Sequence, residues 1–554
     1  MAKPKSRPQL SLQSAHLWDD GGGIPADHWS YRFYEEVFLA FDDGEFADLY
    51  EEGGRYPVSP SLLAGIAILQ YMFRASDRQA VENTIMRRDW RIALGITPEY
   101  VRFCPTVLTR FRRRMEAHGR SRMLFEVVLR RARELGLLAG CRRVRVDATK
   151  LIADVARLSR ADLIKEALRV VVCDLAKRAP ELAEDLTFQR LYEAYGEEYW
   201  LGSGDGSDAR LTALGEAGYV LLGLCGERNV KGQAVLAQIL EEQFLVTDGA
   251  LRPRTKEERP LETIASPHDP DALWGREKDD RWIGDKAHLV ETADPHRPHL
   301  ITDVLVTDSR TMEAEVLPAI AERVTFTTPE ADTLLADGGY AAAGNTERAA
   351  ALGLDLVSPP RSNTRRGKIP ISEFALDFER EVARCPQGHA STSWRTRKRD
   401  VQIRWPRQVC AACPRRTECT DSPRGRTLAP SRHYVQLLQD RQRAETEGFR
   451  QRYALRAPIE ATISELVHGC GLRRSRYRGA PFRELHVLLA ATALNVRRLL
   501  RAGTEWTKPG IAAVAALPGV LSRSLCRHWG GPAAAVGPLL DSPRAAMALI
   551  PAAP

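Results

Sequence analysis

In ADTLLADGGY, residues 331–340, Thr333, Leu334 and Leu335 form a short apolar run that ends at Asp337 and is broken at once by Gly338-Gly339. A partly β-branched run of this length, bounded by glycines, predicts a buried strand. A carboxylate at the end of a buried strand, beside glycines that let a ligand or another backbone approach, is well placed to hold a metal ion. By itself an Asp before two glycines is ordinary turn chemistry. Its weight here comes from an Asp far upstream and a Glu far downstream in matching contexts.

The upstream residue lies in Cys141–Ile152, CRRVRVDATKLI. Val144, Val146 and Ala148 alternate with Arg145, Asp147 and Thr149, a strand pattern with Asp147 on the polar side, where an isolated Asp usually faces solvent. Residues 153–265 then read as a mixed helical insertion with no catalytic constellation of its own. From Ser266 a loop leads to a strand around Lys286–Glu291, then a β-branched strand in HLITDVLVTDS and a helix in RTMEAEVLPAIAERV. After Asp337 come a helix (NTERAAALG), a strand (LDLVSPP) and a basic loop (RSNTRRGKIP). Strand, long insert, strands, helix, strand, helix, strand describes an α/β domain built on a mixed sheet.

Ahead of it the chain reads differently. Residues 1–30 are polar and Gly-rich and read as a flexible arm. Residues 31–135 read as an all-helical domain. Ser59-Pro60 marks one helix start, with Ser59 as N-cap and Pro60 at the first helical position. A second start at Pro105-Thr106 leads into a helix where Arg110, Arg112, Arg113 and Arg114 surround Phe111. Such a helix is either a solvated basic face or a contact for DNA phosphates.

The 554 residues allow several domains, and their formal net charge of +8 is gathered in clusters, which suggests a polyanionic partner. No apolar run spans a bilayer, and the start MAKPKSRPQLSLQ lacks the apolar core of a secretory signal. The expectation is a soluble cytoplasmic, nucleoid-associated protein with no membrane partner. The ten Cys do not suggest a disulfide scaffold; four of them fall between Cys385 and Cys419. Cys410-Ala-Ala-Cys413 is a metal knuckle, and Cys385 and Cys419 complete a four-thiolate set suited to a structural zinc, with His389 as substitute ligand. Against this stands the reading of unligated Cys in a basic loop. Neighbouring Arg and Lys, with Trp394 and Trp405, fit nucleic-acid contact.

Downstream, QRAETEGFRQRYALRAPIEATISELV is helical but split at Pro458. Tyr453, Arg456 and Glu460 share one face by their spacing of three and four residues. Such an Arg and Glu are most often a surface ion pair. The sharper reading is a metal-binding Glu beside an Arg that reaches a phosphate. GLRRSRYRG follows, with Arg473, Arg474, Arg476 and Arg478 around Tyr477, a dense phosphate-binding run, and then an apolar helix, LHVLLAATALNVRRLL. Asp147, Asp337 and Glu460 together could bind two Mg²⁺, the hard-ligand arrangement for in-line displacement at phosphorus.

The chain resembles the DDE transposases of bacterial insertion sequences, in the group containing insertion sequences four and eleven-eighty-two. SPSLLAGIAILQYMFRASDRQAVE with FCPTVLTRFRRRM resembles that group's N-terminal helical domain. VRVDATKLIA and LLADGGYA resemble its two Asp strands, CPQGH and CAACPRRTECT its Cys-rich insertion, and Tyr453-x2-Arg456-x3-Glu460 its third-carboxylate signature. The resemblance implies an RNase H-like core over 141–500, carrying the helical insertion 153–265 and a zinc-ribbon-like insertion over 380–425, behind an N-terminal DNA-binding domain over 31–135. It implies a metal triad of Asp147, Asp337 and Glu460 with two Mg²⁺, Mn²⁺ able to substitute. It implies DNA contact by Tyr453 and Arg456; the basic runs themselves add Arg473, Arg474, Arg476, Arg478, Arg110, Arg112 and Arg113 as expected DNA-binding residues. The implied reaction is hydrolysis at the terminal inverted repeats, then attack of the freed 3′-OH on target DNA, by a homodimer in the DNA complex.

Two departures stand out. Where the family signature often has a Lys seven residues after the Glu, this chain has Val467, then His468. Where relatives commonly have Gly-Tyr-Lys it has Gly284-Asp285-Lys286, with Asp285 read as a plain surface residue. The Ala/Pro-rich tail over 506–554 matches no motif and reads as disordered. Two other readings stay open: a non-catalytic DNA-binding protein descended from a transposase, and an RNase H-like nuclease that cuts without joining.

Overall fold

The computed structural model of the chain describes residues 24–514, apart from 26, 52, 54–56, 97–101, 198–205, 248, 343, 361–367, 399 and 432 and the side chains from 503 on. Residues 1–500 form one compact unit and 501–554 a second. Most of the expected arm lies outside the described residues, as does the expected tail from 515.

Six helices open the chain: α1 (Trp29–Glu36), α2 (Pro60–Met72), α3 (Asp77–Met86), α4 (Arg88–Ala93), α5 (Thr106–Ala117) and α6 (Met123–Glu134). The Ser59 hydroxyl accepts the Leu62 N–H, and Pro60 occupies the first turn where its missing donor costs nothing. Every residue of α2 is buried, so the neighbouring helices wrap it. A reciprocal capping box of Ser76 and Gln79 starts α3.

Strand β1 (Arg143–Ile152) leads into an insertion of α7 (Arg160–Arg178), α8 (Leu186–Tyr195), α9 (Asp208–Cys225), α10 (Gln233–Gln243) and a hairpin of β2 (Phe244–Thr247) and β3 (Ala250–Pro253). The insertion has its own core, including Leu168, Val171, Leu214, Leu221, Leu236 and Leu240. Then come β4 (Leu273–Glu277), β5 (Asp280–Thr292), β6 (Ile301–Asp308), α11 (Glu313–Thr327), β7 (Thr333–Ala336), α12 (Asn345–Ala351) and β8 (Asp355–Val357). A small β region follows with β9 (Ala375–Asp377), β10 (Val382–Arg384), β11 (Ser393–Thr396), β12 (Val401–Arg404), α13 (Arg407–Ala411), α14 (Arg416–Cys419) and β13 (Thr427–Leu428). The chain returns through α15 (Tyr434–Ala444), α16 (Glu447–Ala454), α17 (Ile459–Gly469) and α18 (Ala480–Val514). Pro458 separates α16 from α17, as its missing N–H and fixed φ require.

The main sheet has six strands in the order β4-β5-β1-β7-β8, with β6 also on β5. β5 runs antiparallel to β1, β4 and β6, while β1, β7 and β8 are mutually parallel. Alternation along the strands separates two faces. Val144, Val146, Leu334 and Ala336 pack with Val316, Ile320 and Val324 of α11. Leu335 and Val357 pack on the opposite face with Phe449 of α16. The sheet is therefore covered on both sides, as its parallel half demands.

The segment read as a loop before Lys286 is instead the β4–β5 hairpin, in which Glu277 pairs with Asp280. Its turn carries Lys278 at φ +53°, a residue that gives no turn signal in sequence. Gly284 has φ +144°, and a Cβ there would collide with the Leu151 carbonyl oxygen. Only glycine lets β5 pass β1 at that point.

Candidate active site

In the parallel pair of β1 and β7, Val146 stands opposite Ala336. Asp147 is the next residue on β1 and Asp337 the first residue past the end of β7, so two carboxylates distant in sequence come side by side. Asp337 keeps its turn chemistry as well: its Oδ1 accepts the Gly339 N–H at 2.9 Å, and its carbonyl accepts the Ser358 hydroxyl at 2.6 Å. Asp147 Oδ1 accepts the Ala148 N–H at 2.8 Å, and Oδ2 accepts Arg456 Nη1 at 2.8 Å. Burial raises the Asp147 carboxyl above the ordinary carboxylate value; the Ala148 amide and Arg456 oppose this and nearby Asp337 adds to it.

Three residues after Asp337, Tyr340 is fully buried with its hydroxyl 2.8 Å from His288 Nδ1. His288 Nε2 is 3.0 Å from the Thr307 hydroxyl. Burial pushes His288 down to about 4, so a neutral imidazole anchors the far side of the Asp337 turn.

Glu460 lies in the first turn of α17 and is exposed. Arg456 Nη2 donates to Glu460 Oε1 at 3.3 Å, so the surface ion pair expected from spacing is present. The same guanidinium lies 5.9 Å from the Tyr453 ring, which stacks on Phe449 at 6.0 Å. The helix that carries Glu460 is fixed from below. Glu291 of β5, 0% exposed, accepts Arg145 Nε at 2.6 Å, the Thr462 hydroxyl at 2.8 Å and Arg498 Nη1 at 3.0 Å. Arg145, 1% exposed, also donates to the Leu455 carbonyl at 2.9 Å. A buried, fully partnered charge network thus ties α17 and the turn before it to β1 and β5. This network is not visible in sequence: Arg145 falls on the polar side of the β1 alternation, and its partner Glu291 lies on a strand far along the chain.

The basic residues divide. Residues 473–475 extend the end of β1: the Ile152 N–H donates to the Arg473 carbonyl at 2.9 Å, and the Ser475 N–H to the Ile152 carbonyl at 2.8 Å. Arg473 donates to the Lys150 carbonyl at 2.9 Å, Arg476 to the Ala75 carbonyl at 2.7 Å and Arg478 to the Asp154 carbonyl at 3.0 Å. Arg474 is exposed, as are Arg110 and Arg113 of α5. Arg112 corrects the expectation of a phosphate contact. It is buried with Leu108, Phe111 and Met115 on the inner face of α5, pairs with Asp77, and lies 5.1 Å from the Tyr477 ring. Asp285 is a second correction. It is buried rather than superficial, and pairs with Arg483 of α18, which also holds buried Asp269.

In the small β region, the Cys385 N–H donates to the His389 carbonyl at 3.0 Å, and the Arg426 N–H to Cys410 Sγ at 3.4 Å. Cys385, Cys410 and Cys419 pack against one small core. Burial raises the Cys419 thiol, and Cys410, Cys413 and Cys385 add to this, so the four sulfurs share a neighbourhood. Trp405 is buried there with its Nε1 donating to the His389 carbonyl at 2.9 Å, which removes it from any nucleic-acid surface. Among the described residues, no group of three or more His, Cys, Asp or Glu side chains has the arrangement of a metal site. Among the three carboxylates, the Arg456 guanidinium bridges Asp147 and Glu460.

Residues 384–500 match the family described as Transposase DDE domain. Residues 23–114 match the family described as Transposase domain (DUF772). The first match contains Tyr453, Arg456, Glu460 and the four clustered Cys; Asp147 and Asp337 lie outside both. No curated protein and no solved structure matches the chain. A DDE transposase domain implies an RNase H-like core, a catalytic transposase, a divalent metal and a DNA substrate. The strands of the mixed six-stranded sheet, within residues 143–357, lie outside both matches. Among the described residues, no helix is long and apolar enough to cross a membrane.

Proposed function

We propose that this chain is an active DDE transposase that cuts at the terminal inverted repeats of its insertion sequence and joins the freed ends to target DNA. The observation that carries the reading is that Asp147 and Asp337 come side by side, with Arg456 linking Asp147 to Glu460. The three carboxylates are hard oxygen donors, two half-buried and one exposed, a donor set that fits Mg²⁺, with Mn²⁺ able to substitute. Two bound ions would supply an activated water or 3′-hydroxyl and stabilise the leaving oxygen of an in-line displacement.

The protein's own part is to fix geometry. Glu291, Arg145 and Arg498 hold α17, and neutral His288 holds Tyr340 behind the Asp337 turn. Tyr453, Arg456, Arg474, Arg110 and Arg113 then contact the DNA backbone, where neutralised phosphates supply affinity. Arg473, Arg476 and Arg478 keep charge on the same segment while their guanidinium groups brace it against backbone carbonyls. Cys385, Cys410, Cys413 and Cys419 would hold a structural zinc; soft thiolates in one neighbourhood support this. Purified protein without stoichiometric zinc would remove that part. Joining two ends requires at least two copies in the complex.

The test is cleavage of a labelled duplex carrying the element's terminal repeat, with Mg²⁺ and with EDTA, wild type beside Glu460→Gln. Mg²⁺-dependent nicking that disappears in the variant, followed by joining to a second duplex, is the expected result. Specific binding without a cut in either protein would favour the non-catalytic DNA-binding reading, and cutting without joining the nuclease.

A further inference from the structure

Arg456 presents one corner of its guanidinium to Asp147 Oδ2 at 2.8 Å and the other to Glu460 Oε1 at 3.3 Å. A planar cation therefore separates two of the three carboxylates assigned to metal. A guanidinium seated on these oxygens occupies a lone pair of each carboxylate and repels a second cation, so it competes with a divalent ion for the same donors. Three carboxylates against one guanidinium leave the cleft net negative, so it still attracts a divalent cation.

The surroundings decide which partner gives way. Helix α17 is held through Thr462 by buried Glu291, and Asp147 by its strand pairing. Arg456 instead lies in the turn between α16 and α17, with its N–H on the Tyr453 carbonyl at 2.9 Å. Its long side chain has the Tyr453 face beside it as an alternative platform. Glu460 is 70% exposed, so the outer half of the pair is open to exchange.

We propose that Arg456 is a resident counter-cation of the carboxylate cleft, which a divalent ion displaces, and that the displaced guanidinium is the group that then meets a DNA phosphate. Metal loading and backbone contact are thereby coupled through one side chain. This rests on the assignment of Asp147, Asp337 and Glu460 as metal ligands.

The test is calorimetric titration of the full-length protein with Mn²⁺ alone, in wild type, Arg456→Gln, Arg456→Lys and Asp147→Asn. Removing the competing cation should tighten Mn²⁺ binding about tenfold in Arg456→Gln. Arg456→Lys, whose single ammonium bridges two carboxylates poorly, should fall between the two; it also serves if the Gln variant does not fold. In wild type, Ca²⁺, used in place of Mg²⁺ to suppress cutting, should strengthen binding of a short duplex several-fold, and this coupling should vanish in Arg456→Gln. Unchanged or weaker Mn²⁺ binding in both Arg456 variants, with binding lost in Asp147→Asn, overturns the counter-cation role and leaves the triad standing. Mn²⁺ binding that survives Asp147→Asn overturns the triad itself, and this proposal with it.

Discussion

Two arginines outside the sheet, Arg483 and Arg456, each lie between a pair of carboxylates that includes one from a sheet strand, and their surroundings differ. Arg483 holds Asp269 through Nη1, at 2.5 Å and 2.6 Å, and Asp285 through Nε and Nη2. Its side chain is 0% exposed, and water reaches none of the three groups to any useful extent. Arg456 makes only one bond to each of Asp147 and Glu460; it and Asp147 are 14% and 17% exposed, while Glu460 is 70% exposed. Burial and the number of bonds separate the two. A buried cation between carboxylates cannot leave without stranding charge in a poor dielectric. A cation with one partner in solvent gives up less on leaving, since water can take over that half of the bridge. The first ties α18 to β5; the second is available for chemistry.

The comparison breaks most visibly at Arg483. Arg483→Met leaves Asp269 and Asp285 buried without a counter-charge and should cost about 3–5 kcal/mol. Urea unfolding of the variant reads this directly. A loss under about 1 kcal/mol would mean that the buried triad behaves like a surface pair.

Acid tests the buried side by a different group. Burial holds His288 and His486 down to about 4, and His486 lies three residues beyond Arg483 on α18. The unfolded chain takes up protons first as pH falls below about 6.5, so stability is complete above that value and is lost down to about 4. Each histidine accounts for about 3 kcal/mol over that window. Denaturation midpoints at pH 7.5 and 4.5 measure the slope, and His486→Gln should make it shallower; an unchanged slope would remove His486 from the account.

The smallest effect separates exposed from buried arginines within α5. Arg110→Ala with Arg113→Ala should leave stability within about 0.5 kcal/mol. It should also lower the salt dependence of duplex binding by about one counterion per residue. Arg112→Ala should do the reverse, since Arg112 pairs with Asp77 inside the helical domain. Equal salt slopes for both proteins would take α5 off the DNA surface.

What could be read in the sequence follows the same division. Asp337 was legible because a strand end, a carboxylate and two glycines are contiguous. Glu460 and Arg456 were legible because one helical turn fixes their spacing, and the break at Pro458 because proline acts locally. Arg145 with Glu291, and Arg483 with Asp269 and Asp285, were not. Each side chain is charged, and charge in a strand or helix reads as surface until its partner is known. Those partners come from distant segments, and only the assembled sheet brings them together. Asp285 was misread for this reason, and Arg112 likewise: its place among Leu108, Phe111 and Met115 was visible as helical spacing, but its partner Asp77 was not. The four Cys were legible as a cluster, since their spacing is local.

The long excursion between β1 and β7 bears on how the molecule reaches this arrangement. β1 ends at Ile152 and its parallel neighbour starts at Thr333, with the whole helical insertion between them. Closing so large a loop in a disordered chain is entropically slow. The insertion carries its own apolar core, so it can condense early and shorten the effective tether. Asp147 and Asp337 become neighbours only when β1 and β7 pair across that loop. A nascent chain would remain without its cleft until the sheet closes.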